Sequence, residues 1–323
     1  MQRRDIASPL RRLGAAAAIA LACLVAPARA DEKIRIGTPE STGFSFSVPD
    51  VGIATGIFQK YGLEVERIDF AGGAKMHQAL DAGALDVISG TGSDILFLTK
   101  GAPERGVAAY GNDLNAISLV VRADDTLRKI EDLKGKTIGT STTGSFTSWI
   151  AKTIAAKHGL GPDDINLAYL GTMSGIIAGL LTKNVDAISG PTSRSLILAA
   201  DGKVRILVNA GDEIQDFIAN IVYASDTMMK ERPEALRKFL RAWFETIRYM
   251  KDHKAETVRI TQKATQLPDD IAAKGYDLEM PSFFTDGHFN RQKLAAVQQS
   301  LIDLKLIEHA VPDAMIITEE FLP

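Results

Sequence analysis

The chain contains an internal repeat, and this repeat limits its possible folds more than any other feature. At an offset of one hundred residues, positions 83–101 align with positions 183–201, and at an offset of 102, positions 36–44 align with positions 138–146. The first alignment shares an Asp-x-Ile-Ser-Gly pattern and the apolar positions after it. Its identical pairs are Asp86/Asp186, Ile88/Ile188, Ser89/Ser189, Gly90/Gly190, Ser93/Ser193, Leu96/Leu196 and Leu98/Leu198. Several matching pieces in one order indicate a duplicated structural unit.

Each copy of the unit alternates predicted strands with predicted helices. The order is strand, loop of small residues, helix, strand, helix, and then the Asp-x-Ile-Ser-Gly strand followed by another helix. Such alternation predicts an α/β fold with parallel sheets covered on both faces. Because ligands of open α/β sheets bind beyond the carboxyl ends of the strands, two facing copies predict a cleft between two lobes. Convergence of short patterns is the alternative, and the shared order of the pieces argues against it.

Two apolar segments predict how the lobes are joined. Residues at about 116–122 and 218–224 are expected to be strands that cross between the lobes and form a two-strand hinge, which suits closure around a ligand. The predicted first lobe comprises residues 31–117 and 224–323, and the predicted second lobe comprises residues 118–223. From residue 228 onwards the pattern predicts helices packed around the first lobe. An apolar stripe at residues 236–247 is expected to be core.

Residues 1–30 have the pattern of a secretory signal peptide. Basic residues precede an apolar run at residues 13–26, which is too short for a membrane span, and Ala28-Arg29-Ala30 offers a cleavage site. Arg3-Arg4 is compatible with twin-arginine export, although the general secretory route is the default. Cys23 is poorly placed for lipidation. The sequence therefore predicts a periplasmic protein without a lipid anchor.

Charge and cysteine content exclude several function classes for the mature chain. Removal of residues 1–30 takes away five arginines and one aspartate, which leaves 32 basic and 39 acidic residues and a net charge of −7. The mature chain then has no cysteine, because Cys23 is the one cysteine of the sequence. Disulfides, thiolate metal sites and cysteine nucleophiles are thereby excluded. Without a basic run or a second long apolar segment, binding of nucleic acid and membrane insertion are not expected.

A loop at residues 140–148 is the first candidate for ligand binding. It consists of small and hydroxyl-bearing residues between a short predicted strand and a predicted helix, and the first amides of a helix can bind an anion or a polar head. Its candidate contacts are Thr142, Thr143, Gly144, Ser145 and Thr147. The alternative is an ordinary helix cap formed by Thr143 or Ser145. The patterns GxxxxGK[ST] and GxGxxG are absent from this loop, so nucleotide binding is not indicated.

The loop after the first predicted strand is its counterpart in the first copy and is rich in aromatic residues. Its candidate contacts are Ser41, Thr42, Phe44 and Phe46. Either phenylalanine could cover a ligand or pack within the protein, and the sequence leaves both open. His77 lies on the next predicted helix. A lone histidine there is expected to be a surface residue or to be satisfied by its neighbours, and not a ligand-binding residue.

Five segments together resemble the periplasmic solute-binding proteins of ABC importers. They are residues 56–65, 80–90, 133–139, 183–198 and 232–250, and their order covers nearly the whole mature chain. The resemblance is to the branch that includes sulfonate, taurine, nitrate and thiamine-precursor binders, the NMT1/THI5-like proteins. It implies a type II-like periplasmic binding protein fold, in which two α/β lobes close on a ligand without covalent chemistry.

The resemblance also implies further ligand contacts. In that family they lie in the loop after the first strand, in the loop after Asp-x-Ile-Ser-Gly and at the helix start after Ile-Gly-Thr. The additional positions in this chain are Gly90, Thr91, Ser93, Asp94, Pro191, Thr192 and Arg194. Many relatives carry tryptophan just before the proline of the second such loop, where this chain has Gly190, so the usual ligand is not implied.

The function that the resemblance implies is delivery of a small organic anion or zwitterion, such as a sulfonate or taurine, to an ABC permease and its ATPase. A monomer is implied, with no catalytic residue, no cofactor and no metal. Helix N-termini and hydroxyls would bind the anion, and Arg194 is either a charged partner or a solvated residue. Asp94 either caps its helix or meets an amine on a zwitterion.

Three alternatives stay open from the sequence. A neutral or aromatic ligand, such as a pyrimidine precursor of thiamine, could stack on Phe44 or Phe46. An enzyme is a second alternative, but the patterns HExxH, GxSxG and SxxK do not occur in a suitable context, and Asp86 and Asp186 are better interpreted as turn residues. The third alternative is an exported partner of a membrane sensor, which needs the same closure on a ligand.

Overall fold

The computed structural model describes residues 31–41, 43–112, 114–215 and 217–323. Residues Glu32–Pro323 form one compact unit, to which the following account refers. The strands in this part of the chain are β1 Glu32–Thr38, β2 Leu63–Asp69, β3 Val87–Thr91, β4 Glu104–Gly111, β5 Ile117–Arg122, β6 Thr137–Thr140, β7 Asn166–Tyr169, β8 Ala187–Pro191, β9 Val204–Asn209 and β10 Asn220–Ser225.

Helices follow most of the strands. They are α1 Val48–Ala54, α2 Ile57–Lys60, α3 Gly73–Asp81, α4 Ile95–Leu98, α5 Phe146–Lys157, α6 Met173–Leu181, α7 Thr192–Ala200, α8 Ala210–Glu213, α9 Asp226–Glu231, α10 Pro233–Asp252, α11 Lys254–Thr265, α12 Asp269–Glu279, α13 Arg291–Asp303 and α14 Asp313–Ile316. Short 3-10 helices occur at Phe44–Phe46, Gly92–Asp94, Ile130–Leu133 and Met280–Ser282. Among the helices described, none combines the length and the apolar character that a membrane crossing requires.

The strands form two five-stranded sheets of the same design. The order is β2-β1-β3-β10-β4 in the first sheet and β7-β6-β8-β5-β9 in the second. In each sheet the first three strands are parallel, and the fourth is antiparallel to both of its neighbours. That antiparallel strand comes from the other part of the chain, since β5 follows the first unit and β10 follows the second. The chain therefore passes between the sheets twice. The hinge and the lobe boundaries at these segments stay predictions.

The repeat seen in the sequence extends to backbone register and hydrogen bonding. Ile36 and Gly37 pair with Val87 and Ile88, and Ile138 and Gly139 pair with Ala187 and Ile188. The aspartates just before β3 and β8 each accept a hydrogen bond from a backbone N–H of the neighbouring strand, β1 or β6. Arg35 N lies 2.8 Å from Asp86 Oδ2, and Thr137 N lies 2.9 Å from Asp186 Oδ2. Both aspartates thus tie strands together, which is more than the turn role expected for them.

Apolar stripes with helical spacing decide where the long helix α10 packs. Its apolar face lies against the first sheet and the helix α1, and the residues of the predicted stripe are buried, which confirms them as core. They are Leu236, Phe239, Leu240, Trp243, Phe244 and Ile247. The segment 51–60 predicts one helix, but the chain forms α1 and α2 there. Gly56, with a φ of 70°, separates them by adopting a left-handed conformation that favours glycine.

The C-terminal helices contact elements of both sheets. Leu267, just before α12, and Ile271, in its first turn, pack against Leu196 and Ile197 on α7, the helix between β8 and β9 of the second sheet. On α13, Ser300 accepts a hydrogen bond from Trp149 Nε1 on α5, with 3.1 Å between the two atoms. These contacts with α7 and α5 add to the packing of α10 and α12 in the core of the first sheet, and the assignment of the C-terminal helices to the first lobe stays a prediction. An apolar patch on α7 and the buried indole of α5 supply contacts that helical periodicity in the C-terminal region does not reveal.

Candidate functional site

A cavity of about 510 Å³ lies between loops that belong to the two sheets. Its lining comes almost entirely from residues just beyond the carboxyl ends of the parallel strands β1, β2, β3, β6 and β7, where ligands of open α/β sheets bind. The lining residues are Pro39, Glu40, Ser41, Phe46, Asp69, Phe70, Ala71, Gly72, Gly73, Thr91, Asp94, Ile117, Ser141, Ser145, Phe146, Thr147, Gly171, Thr172, Met173, Ser174 and Ile176.

Three helices begin at this cavity, and they differ in how their first amides are satisfied. Ser145 caps α5 by accepting a hydrogen bond from Ser148 N, and Thr172 caps α6 by accepting one from Gly175 N. The residue before α3 is Gly72, which has no side chain that could cap the helix and adopts a φ of 95°. The first amides of α3 therefore have no partner within the helix and no side-chain cap, and Gly72 and Gly73 line the cavity.

Hydroxyl groups fix the loop between β6 and α5. Thr147 Oγ1 accepts a hydrogen bond from Ser141 N at 3.0 Å, and it lies 3.1 Å from both Ser141 Oγ and Ser145 Oγ. This threonine thus connects the end of the strand with the first turn of the helix. Because all three residues line the cavity, the network sets the shape of one wall.

The charged residues that line the cavity, within the described ranges, are acidic: Glu40, Asp69 and Asp94. Asp69 is compensated, since its Oδ1 accepts hydrogen bonds from Thr38 Oγ1 at 2.5 Å and from Arg67 Nε at 2.8 Å. Asp94 Oδ2 accepts a hydrogen bond from Thr91 N at 2.7 Å, which is the helix-capping role considered for it. An anionic ligand here would be bound by amides and hydroxyls rather than by a lysine or arginine.

Behind Asp94 lies a buried cluster of ionisable groups. His77 is 1% exposed, its Nδ1 lies 2.5 Å from Glu104 Oε1, and its Nε2 lies 3.4 Å from Asp94 Oδ2. Burial alone lowers the pKa of His77, but hydrogen bonds and negative charge from Asp94 and Glu104 outweigh burial and raise the pKa to about 10. Burial also raises the pKa of Glu104. The imidazolium is therefore the charged partner of two carboxylates, one of which lines the cavity.

The apolar part of the wall continues into the protein interior. Phe46, Phe70 and Phe146 line the cavity. Phe146 stacks on Trp149 with a centroid distance of 6.0 Å, and Trp149 stacks on Phe217 at 4.2 Å. Phe217 lies on the segment that returns to the first sheet. A group bound against Phe146 would therefore contact an aromatic stack that joins α5, of the second sheet, to the segment that returns to the first sheet.

The structure places the predicted site residues in three groups. Those that line the cavity are Ser41, Phe46, Thr91, Asp94, Ser145 and Thr147. Those outside its lining are Phe44, Gly90, Ser93, Thr142, Thr143, Gly144, Pro191, Thr192 and Arg194. Thr42 lies outside the described residues. The role of each in binding stays a prediction, because the geometry gives position only.

Several residues of the second group have other partners. Phe44 is 1% exposed and packs against Tyr276 and Phe283, which is the packing alternative considered for it. Thr192 Oγ1 donates to the carbonyl of Asn115 at 2.7 Å. Arg194 is half-buried and donates to the carbonyl of Thr265 at 3.1 Å, and burial lowers the pKa of its guanidinium. Its guanidinium thus reaches α11, while part of the side chain stays exposed to solvent.

Two loops that line the cavity were missing from the sequence-based prediction. They are residues 69–73, after β2, and residues 171–176, after β7. The repeat does contain a signal for them, because the helices that follow these two loops are one hundred residues apart. These helices are Gly73–Asp81 and Met173–Leu181. Extending the repeat upstream of residue 80 would have paired them.

Comparisons with known proteins agree with this architecture. A protein of Brucella abortus that is named a putative binding protein is 25% identical over 258 residues, which is 78% of each chain. The alkanesulfonate-binding protein SsuA of Xanthomonas axonopodis pv. citri, bound to MOPS, superimposes with a TM-score of 0.75 at 19% identity, covering 85% of this chain and 93% of SsuA. The aliphatic sulphonate-binding SsuA of Escherichia coli gives 0.72 at 20% identity, covering 89% and 92%.

An enzyme also shares the fold. The desulfurization enzyme DszB, in complex with biphenyl-2-sulfinic acid, superimposes with a TM-score of 0.66 at 16% identity, covering 90% of this chain and 97% of DszB. The predicted two-lobed periplasmic binding protein fold is confirmed by these neighbours. The family model described as NMT1/THI5 like matches residues 50–257, more than half of the chain, and the chain therefore belongs to the NMT1/THI5-like family.

Proposed function

We propose that this protein is an extracytoplasmic solute-binding protein that delivers a small organic anion or zwitterion, of the sulfonate or taurine type, to an ABC importer. The observation that carries the proposal is the cavity between the two sheets. Uncapped amides of α3 offer donors to an acidic or polar head, and a phenylalanine-rich wall accepts an apolar body. The sulfonate-binding proteins with the same fold support this ligand class.

The proposed mechanism is a population shift between an open and a closed form. A ligand that contacts loops of both sheets binds the closed form more tightly, so it shifts the equilibrium by its difference in affinity for the two forms. No covalent step is required. His77 is not proposed as a catalytic group, because its nitrogens face two carboxylates in the interior and its side chain is 1% exposed.

A second ligand class is favoured by a specific feature of the wall. Phe46, Phe70 and Phe146 would suit a neutral aromatic ring, such as a pyrimidine, through stacking. A neutral ring would make less use of the amides of α3 than an acidic group would. We therefore rank neutral aromatic ligands below anionic or zwitterionic ones.

Periplasmic export and action as a monomer belong to the same proposal. Export rests on the pattern of residues 1–30 and on the periplasmic sulphonate-binding protein of the same fold, and the monomer is what the family resemblance implies. N-terminal sequencing of the protein from a periplasmic fraction should find a chain that begins at residue 31. A chain that begins at residue 1 would contradict export by cleavage.

The direct test is native mass spectrometry of the purified protein before and after unfolding and refolding. We expect a small-molecule mass that is lost on refolding and regained from a panel of sulfonates, taurine, nitrate, carboxylates and pyrimidines. Titration calorimetry would then rank the ligands. Turnover of a panel member without stable binding would replace the binding proposal with an enzymatic one.

The hydroxyl network gives the first mutational prediction. Thr147→Val removes the acceptor of Ser141 N and two hydroxyl contacts, so the loop between β6 and α5 loses its fixed shape. We expect affinity for the regained ligand to fall about tenfold or more, because the ligand must then order a loop that three hydrogen bonds, each worth about 0.5–1.5 kcal/mol, hold in place beforehand. Calorimetry on the refolded variant measures this change.

Thr153→Val on the same helix is the matched control. Thr153 does not line the cavity, and its Oγ1 has no hydrogen-bond partner in the described part of the chain. We expect its affinity to equal that of the wild type. Equal losses in the two variants would mean that α5 is generally destabilised and that the loop has no specific role.

A further inference from the structure

Asp94 has an acceptor atom that the protein itself does not use. The side chain is buried and lines the cavity, and its Oδ2 is occupied by Thr91 N and lies near His77. Its Oδ1 has no hydrogen-bond partner among the described residues, although it is inaccessible to bulk water. A buried carboxylate oxygen without a donor is unfavourable, and a ligand that supplies a donor removes the penalty.

The free oxygen lies next to the uncapped helix. A Cβ atom added to Gly73, the first residue of α3, would lie 3.1 Å from Asp94 Oδ1. The acceptor on Asp94 and the amide donors of α3 are therefore adjacent at one end of the cavity. A single compact ligand can reach both if it carries a donor and an acceptor group a few bonds apart.

The charges around this end also suit a ligand with a positive group. The cluster behind it has two carboxylates, Asp94 and Glu104, for one imidazolium, that of His77. The other acidic residues of the wall are Glu40 and Asp69, and Asp69 has Arg67 as its own partner. A purely anionic ligand would meet Asp94 without gaining a counter-charge, whereas an ammonium group would.

We propose that the ligand carries an amino group close to its acidic group, and that Asp94 Oδ1 accepts a hydrogen bond from that amino group while the first amides of α3 bind the acid. The ligand class is thus a compact amino acid-like zwitterion, for which an aminosulfonate is the sulfonate form. This inference rests on the proposed binding function and makes Asp94 the residue that determines specificity within it.

Matched ligand pairs test the inference on the wild-type protein. The pairs are 2-aminoethanesulfonate and ethanesulfonate, 3-aminopropanoate and propanoate, and 4-aminopyrimidine and 4-methylpyrimidine. We expect the tightest pair to favour the amino member by about tenfold or more, as hydrogen bonds to charged groups are stronger than neutral ones. Equal binding within every pair would overturn the inference and leave the binding function intact. Binding of no member would overturn both.

Asp94→Asn is the variant that should abolish this preference. We expect it to bind the two members of the tightest pair with affinities within about threefold of each other. Asp201→Asn, an exposed aspartate paired with Lys203 at the end of α7, is the control and should keep the wild-type preference. An unchanged preference in Asp94→Asn would overturn the role of Asp94.

A methylation series keeps the inference testable if Asp94→Asn does not fold. N-methyl, N,N-dimethyl and N,N,N-trimethyl forms of the preferred amino ligand retain the positive charge while the N–H donors are removed one by one. We expect wild-type affinity to fall most at the trimethyl form, which has no donor. Retained affinity for the trimethyl form would overturn the hydrogen bond to Asp94.

Discussion

Replacement of His77 by glutamine should lower the free energy of unfolding by about 3–5 kcal/mol, because removal of one partner from a buried ionic cluster leaves the others uncompensated. His77 is enclosed by Asp94 and Glu104, and all three side chains are buried. Glutamine can keep one hydrogen bond but cannot carry the positive charge. Urea unfolding at pH 7, followed by circular dichroism, measures the difference from the wild type.

The effect should depend on pH in a defined direction. The folded protein raises the pKa of His77 from 6.5 to about 10, so the folded state binds this proton more tightly than the unfolded state does. The contribution of His77 is therefore fully present below pH 6.5 and is lost as the pH rises towards 10. Within that window it falls by up to about 1.4 kcal/mol per pH unit. The stability difference between wild type and His77→Gln should shrink accordingly.

His288→Gln is the control for this prediction. His288 is an exposed histidine that also has an acidic neighbour, Glu319, at 3.5 Å. Exposed ion pairs contribute little, so we expect a change in the free energy of unfolding below about 0.5 kcal/mol. If His77→Gln were as stable as the wild type at pH 7, the charged cluster would not be a stabilising element. The double variant with Glu104→Gln should recover part of the loss, because it removes one of the uncompensated carboxylates.

The duplicated fold could be predicted because its signals are local. Asp-x-Ile-Ser-Gly marks β3 and β8, and the same pattern places Asp86 and Asp186 at equivalent positions beside the first strand of each sheet. Alternation of strands and helices then gives parallel sheets and a cleft at their carboxyl ends. These inferences need only periodicity and order, which a single sequence contains.

The buried cluster could not be predicted in the same way. His77 is one polar residue on an otherwise ordinary helix, and its partners Asp94 and Glu104 follow later in the chain, on a 3-10 helix and at the start of β4. Their proximity depends on how α3 packs over the first sheet. Helical spacing leaves a surface position and a satisfied interior position equally possible, and only tertiary structure decides between them.

Partners from distant elements also explain why some candidate contacts lie outside the cavity. Arg194 is directed to the carbonyl of Thr265 on α11, and Phe44 is held between Tyr276 and Phe283. These partners lie on the C-terminal helices or, for Phe283, in the segment between them, and the packing of this region against α7 and the loop after β1 has no short-range signal. The repeat places loops at the cleft, but it does not decide which side chain of a loop faces it.

Gly92 provides a case in which the repeat itself gives the wrong expectation. The equivalent residue of the second unit is Thr192, so the alignment suggests that a side chain is tolerated at this position. In the structure a Cβ on Gly92 would lie 2.1 Å from the carbonyl oxygen of Ile218, which is a backbone atom and cannot rotate away. Ile218 belongs to the returning segment between the second and the first sheet. The first unit therefore needs glycine where the second does not.

Gly92→Ala should consequently lower the free energy of unfolding by about 3 kcal/mol, at the upper end of the cost of overpacking, because the clash is with backbone. The returning segment must move, and with it Phe217, which stacks on Trp149 behind the cavity wall. We therefore expect weaker ligand binding and an altered Trp149 fluorescence in addition to the loss of stability measured by urea unfolding.

Gly161→Ala is the control for this prediction. An added Cβ at Gly161 would meet only Asp164 at 3.4 Å, an ordinary contact, so the free energy of unfolding should change by less than about 0.5 kcal/mol. A Gly92→Ala protein with wild-type stability would mean that the returning segment can shift freely, and that it does not fix the distance between the loops of the two sheets.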